Sequence, residues 1–129
     1  HPMAMAAVIA AIEEYERDDG AVFKHIERVG MQLKEGLDQI AQEHEQPLLL
    51  QGFPGAWSYA FNPKAKIINN ADGLGSDHEK AHRLSALMTE RGVFLEGRFC
   101  MSAAHTRSDI EATLDVANEV IGQMKEDSA

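Results

Sequence analysis

Apolar residues recur along this chain in two rhythms, and the places where the rhythm changes outline the fold. Val22, Ile26, Val29, Leu33, Leu37 and Ile40 follow one another at spacings of 4, 3, 4, 4 and 3, one face of an α-helix. Gly30 and Gly36 interrupt that helix at about 1 kcal/mol each relative to alanine, so packing must compensate. Ahead of it, "HPMAMAAVIAAI" is apolar on all sides, and Pro2 suits a first helical position, where its missing N–H is not needed. The pattern predicts a helix over 2–17, ended by the turn Asp18-Asp19-Gly20. A helix without a polar face needs cover on every side. This one is expected to pack against another domain or a second copy of itself.

Between 48 and 61 the period shortens to two. "LLLQG" (48–52) and "AWSYAF" (56–61) read as strands joined at Phe53-Pro54-Gly55, with Trp57, Tyr59 and Phe61 alternating against Ala56, Ser58 and Ala60. The polar stretch 62–76, rich in Asn and Gly, is expected to be a mobile crossover loop. The helical period then returns. Ser76 and Glu79 have capping-box spacing ahead of Ala81, Leu84, Leu87 and Met88, and Gly92 stops that helix. "VFL" (93–95) and "FCMS" (99–102) read as short strands around the turn Glu96-Gly97-Arg98. Thr106 caps a last helix whose stripe is Ile110, Leu114, Ala117, Ile121 and Met124. This order predicts an α+β fold. Its small antiparallel or mixed sheet has helices packed on one face and follows a long two-helix N-terminal segment.

Composition narrows the partners. The chain has 129 residues, enough for one domain with its own core. Its charge is 12 − 21 = −9, against the clustered Lys and Arg that a nucleic-acid backbone requires. Cys100 is the only cysteine, so no disulfide forms within the chain and a reducing cytoplasm is the expected compartment. The apolar run at 3–12 lacks a positive flank, is followed by "EEYERDD", and is too short to span a membrane.

Three groups of residues could carry chemistry. "HEKAH" places His78 and His82 one helical turn apart with Glu79 between them, the spacing of a zinc hydrolase in which the glutamate activates water. Polar flanks and the lack of a third ligand at the usual distance favour a solvated helix start instead. Cys100 and His105 invite a nucleophile–base reading. The plainer reading makes Cys100 a small buried hydrophobe and His105 a residue bonded to a turn carbonyl. Arg98, at a glycine turn, can present a guanidinium fork to a carboxylate or phosphate, or stand in solvent. No Gly-rich phosphate loop is present.

Taken in order, "HPMAMAAVIAAIEEYERDDGAVFKHIERVGMQLKEGL", "QGFPGAWSYAF", "RGVFLEGRF" and "SAAHTRSDIEATLDVANEVI" resemble one family. It is the class III pyridoxal-phosphate enzymes, in their C-terminal small domain, and most of all the glutamate-1-semialdehyde aminomutase branch. The resemblance covers nearly the whole chain. It implies the small domain of a fold-type I enzyme and makes residues 1–129 part of a longer protein. Residues 1–17 would be an inter-domain or dimer helix, and 21–129 the α+β domain. It also implies an upstream large domain, a homodimer, an amino-acid-like substrate, and pyridoxal phosphate in the parent enzyme. The family's Schiff-base lysine and phosphate site lie outside the matched stretch, so the chain alone is expected to bind no cofactor and to be inactive. Transaminases of the class carry an arginine before a Pro-Pro pair, where this chain has Cys100 and Ala103-Ala104. Arg98 is the candidate to replace that grip on the substrate carboxylate.

Overall fold

A computed structural model describes residues 1–127. The elements are α1 (Pro2–Glu43), β1 (Leu48–Phe53), β2 (Ala56–Phe61), α2 (Asn70–Gly73), α3 (His78–Glu90), β3 (Arg98–Cys100) and α4 (Arg107–Glu126). The strands form one antiparallel sheet in the order β1-β2-β3.

The expected break in the first helix is present: α1 consists of two helices that meet at a kink over Arg17, Asp18, Asp19 and Gly20. Arg17 is extended, and Asp18, Asp19 and Gly20 take left-handed conformations one after another. Only glycine adopts that region without a Cβ penalty. Two aspartates share it here because short polar side chains tolerate it best. Before this kink every residue is exposed, including Met3, Met5, Val8, Ile9 and Ile12. After it Val29, Leu33, Leu37 and Ile40 are buried, as the stripe requires.

The two helix glycines are sites of close approach. A Cβ on Gly30 would lie 1.8 Å from the Pro54 carbonyl oxygen, and one on Gly36 would lie 2.5 Å from a Leu114 methyl. Their absent side chains let α1 settle against the β1–β2 turn and against α4. The indole N–H of Trp57 donates to the Gly30 carbonyl at 2.9 Å, a bond that ties β2 to the same point. Around it the core gathers Phe61, Leu84, Met88, Phe99, Ile110, Ala117, Val120 and Ile121.

Several local expectations need correction. The cap of α3 is Asp77, whose side chain accepts from the Lys80 N–H at 2.8 Å, and not Ser76. The Ser76 hydroxyl is taken up by Asn62 instead. Residues 93–95 form no strand. Leu95 reaches the core and its carbonyl accepts from the Ser85 hydroxyl, so a side chain satisfies what a ladder would have satisfied. The last strand covers 98–100 rather than 99–102, because the chain turns away at Ser102.

Loop 62–76 is knitted together. The Asn62 side chain, buried, donates to the Asp72 carbonyl and the Ser76 hydroxyl and accepts from the Lys64 N–H. Asp72 caps α2 together with Asn69. Its carboxyl is held below the usual carboxylate range by Lys64 first and then by the Ile68 N–H. The polar side chains of the loop bond to one another and to the loop backbone.

The capping box at the last helix forms as expected, between Thr106 and Asp109. The Thr106 hydroxyl, then its backbone N–H, hold the Asp109 carboxyl below its usual value. That contribution to stability is complete above the usual carboxylate value and is lost as the pH falls through the lower folded value. Thr106→Ala is expected to cost about 1 kcal/mol at neutral pH. The difference from the parent chain should shrink in acid as Asp109 protonates. Thermal melts at pH 7 and below pH 3 check both, and an equal difference at the two pH values would refute the cap's dependence on the carboxylate.

Candidate functional site

The sheet has one covered face and one open face, and β2 decides which side chains go where. Trp57, Tyr59 and Phe61 point to the helices together with Leu48, Leu50 and Phe99. Ala56, Ser58 and Ala60 point the other way. The register sets them in rows: Leu49 with Ala60; Gln51 with Ser58 and Arg98; Phe53 with Ala56 and Cys100. None of these open-face residues is fully buried.

Arg98 stands at the end of the middle row, exposed, on the edge strand. Every other arginine of the chain has a partner: Arg17 holds Glu14, Arg28 His25, Arg83 Asp127, Arg91 Gln123 and Arg107 Glu111. Of the six arginines, Arg98 alone has neither a hydrogen bond nor an ion pair among the described residues. With Phe94, Glu96 and Cys100 it lines a hollow of about 510 Å³. A planar, permanently charged fork without an intramolecular partner is suited to an external carboxylate.

Cys100 is exposed, not buried as expected. Strand alternation sends Phe99 inward and therefore its neighbour outward. Cys100 and His105 share no hydrogen bond. The His105 ring Nδ1 accepts from the Ser102 N–H at 3.0 Å and meets the Ser102 hydroxyl at 2.9 Å, and the His105 backbone N–H donates to the Ser102 carbonyl at 3.2 Å. Its own carbonyl accepts from His25 Nε2 at 2.8 Å, and His25 Nδ1 accepts from Arg28 at 2.9 Å. His25 and Arg28, on α1, therefore anchor the turn that leads into α4. Sequence reasoning missed them. The only signal was a histidine beside the apolar stripe.

His78, Glu79 and His82 are all exposed on the first turns of α3. Among the described residues no three His, Cys, Asp or Glu side chains gather in a way that could hold a metal. Nothing in this geometry gives the motif a third ligand.

The lysines test the fit of pyridoxal phosphate to this chain. A Schiff-base lysine has to be held in a dry, shaped site. Lys24 pairs with Asp19, Lys34 with Asp38, Lys64 with Asp72 and Lys125 with Glu45, Lys80 lies over the Phe61 ring, and Lys66 is exposed. These surface positions do not make a cofactor site. Among the described residues no helix is long and apolar enough to cross a membrane.

No family model matches the chain. It is 34% identical over 126 residues to the glutamate-1-semialdehyde 2,1-aminomutase of Desulfitobacterium hafniense strain DCB-2, and equally to that of strain Y51. Each match covers 94% of this chain and 28% of the relative, so the chain spans little more than a quarter of the proteins it matches. Two solved structures share its fold. An omega-transaminase from Sphaerobacter thermophilus aligns over 98% of this chain and 28% of its own, with TM-score 0.78 and 18% identity. A glutamate-1-semialdehyde aminomutase from Pseudomonas aeruginosa PAO1 aligns over 85% and 25%, with TM-score 0.74 and 16% identity. Along nearly its whole length, the chain is thus a homologue of one stretch of the glutamate-1-semialdehyde 2,1-aminomutases, the branch of the class III pyridoxal-phosphate aminotransferases that its sequence resembles.

Proposed function

We propose that this chain is the C-terminal small domain of a pyridoxal-phosphate-dependent aminomutase or aminotransferase of the cytoplasm. It flanks the active-site cleft and supplies a contact to the carboxylate of a small amino-acid-like substrate. The observation that carries the reading is Arg98, an unpaired guanidinium on the open face of a sheet whose other face is closed by helices. Residues 21–129 form the domain. Residues 1–17 reach out to the large domain or to a second subunit, a reading supported by the exposed Met3, Met5, Val8, Ile9 and Ile12. Cofactor chemistry belongs to residues outside this chain, in keeping with lysines that lie on its surface. Alone, the chain is inactive.

The test is Arg98→Ala in the full-length enzyme. A charge-assisted hydrogen bond contributes about 1.5–3 kcal/mol, so KM for the amino-acid substrate should rise roughly 10- to 100-fold. The change in kcat should be much smaller, because the grip is made to a group that does not react. Arg98→Lys should recover only part of the loss, since an ammonium cannot form the two parallel bonds of a guanidinium. An unchanged KM in Arg98→Ala removes Arg98 from substrate binding.

A further inference from the structure

The run from Val93 to Cys100 behaves as a strand of which only the second half is paired. Val93, Leu95 and Phe99 turn toward the core, while Phe94, Glu96, Arg98 and Cys100 stand exposed. Apart from Gly97 this is the alternation of an extended chain, yet only 98–100 pairs with β2. The main chain of the first half alternates as well. The Val93 N–H donates to the Met88 carbonyl at 2.9 Å and the Leu95 carbonyl accepts from the Ser85 hydroxyl, so α3 takes up both. In an extended chain the residue between them directs its N–H and C=O to the opposite edge. Neither Phe94 nor Glu96 has a hydrogen bond among the described residues. The Phe94 side chain is 79% exposed and stands between a hollow of about 580 Å³ beside α4 and the hollow around Arg98.

We infer that Phe94 and Glu96 form an open strand edge, and that a short strand of the parent polypeptide, from outside residues 1–129, pairs with it. This rests on the reading of the chain as one domain of a larger enzyme, since the match takes in only 28% of its relatives. An edge of this kind offers main-chain bonds that any extended segment can make, and the bare Phe94 ring favours an apolar side chain beside it. The shortness of the edge selects the occupant. Phe94 and Glu96 each bring one N–H and one C=O, too few to hold a separate protein against the loss of its free motion. A segment tethered in the same polypeptide is present at a roughly millimolar effective concentration, and for it so short a ladder suffices.

Hydrogen exchange of the full-length enzyme, resolved to single amides over 93–97, tests this. The Phe94 amide should exchange at least about 100-fold more slowly than in an unstructured peptide. Phe94→Pro removes the donor, and should speed exchange about tenfold or more at one segment outside 1–129, which identifies the strand. Phe94→Leu keeps the amide and an apolar side chain, and should leave that segment unchanged. A Phe94 amide that exchanges at the unstructured rate in the wild-type enzyme overturns the inference, and this measurement decides even where Phe94→Pro does not fold. Protection at Phe94 with no segment outside 1–129 responding to Phe94→Pro means that the residue is only covered, and also overturns it. Protection that vanishes when subunits are separated by dilution gives the strand to a second subunit, and the assignment to the same polypeptide falls. An unchanged KM in Arg98→Ala would remove the carboxylate grip and leave the strand standing.

Discussion

Gly30→Ala is expected to lower the stability of this fold by about 3 kcal/mol or more, at the upper end of what overpacking a core normally costs. The new Cβ would lie 1.8 Å from the Pro54 carbonyl oxygen and 2.6 Å from its carbonyl carbon. Both are backbone atoms, so no rotamer change relieves the overlap. Either α1 withdraws from the β1–β2 turn or the turn itself moves, and in both cases the Trp57 bond to the Gly30 carbonyl is lost. Gly36→Ala is the control. There the Cβ meets only the Leu114 side chain, its methyl groups at 2.5 and 2.6 Å and its Cγ at 3.1 Å, and that side chain is half-buried and can rotate. The gain of about 1 kcal/mol in helix propensity offsets much of that crowding. Melting curves should therefore drop by about 10 °C for Gly30→Ala and by a few degrees at most for Gly36→Ala. A Gly30→Ala protein melting within about 2 °C of the parent would show that the contact is not as tight as described.

Asn62→Leu is expected to loosen the whole 62–76 loop and to destabilise the protein by about 2–3 kcal/mol. The substitution keeps shape and burial but removes both hydrogen-bonding ends of the side chain. The Asp72 carbonyl, the Ser76 hydroxyl and the Lys64 N–H are then left without the partners they have now. Unmade bonds at partly buried groups cost about 1–3 kcal/mol each, less where water can enter. Hydrogen exchange distinguishes this from a general loss of stability. Amides of the loop, such as those of Lys64 and Ser76, should exchange far faster, while those in the buried part of α1 change only with the global stability. Equal acceleration throughout would mean that Asn62 supports the core and not the loop.

Where burial repeats with a fixed period, the sequence was legible. The stripe became the buried face of α1 from Val29 to Ile40, with Val22 and Ile26 half-buried, and the alternation of Trp57, Tyr59 and Phe61 became the covered face of β2. Thr106 and Asp109 capped α4 because a cap is a contact between residues three apart. Errors came where a distant residue supplies the partner. Ser85 took the Leu95 carbonyl and left 93–95 without a ladder, and Asn62 took Ser76 away from the helix it was expected to cap. The candidate site divides in the same way. Arg98 was visible as a guanidinium at a glycine turn. That it lacks a partner while every other arginine has one could be seen only once the chain was folded.

By itself, then, the sequence determined the long helices, the first two strands and most of their buried faces, because helix and strand periodicities are local and each segment carries its own. It also carried the likeness to the aminomutases, whose motifs are short and ordered along the chain. The tertiary structure alone decided that Cys100 faces outward, that His25 holds the turn before α4, and that Gln51 fastens Ile67 beside the open sheet. These are contacts between residues far apart in the chain, or consequences of strand register. A shift of one residue in register would have turned Arg98 into the core and Phe99 out of it.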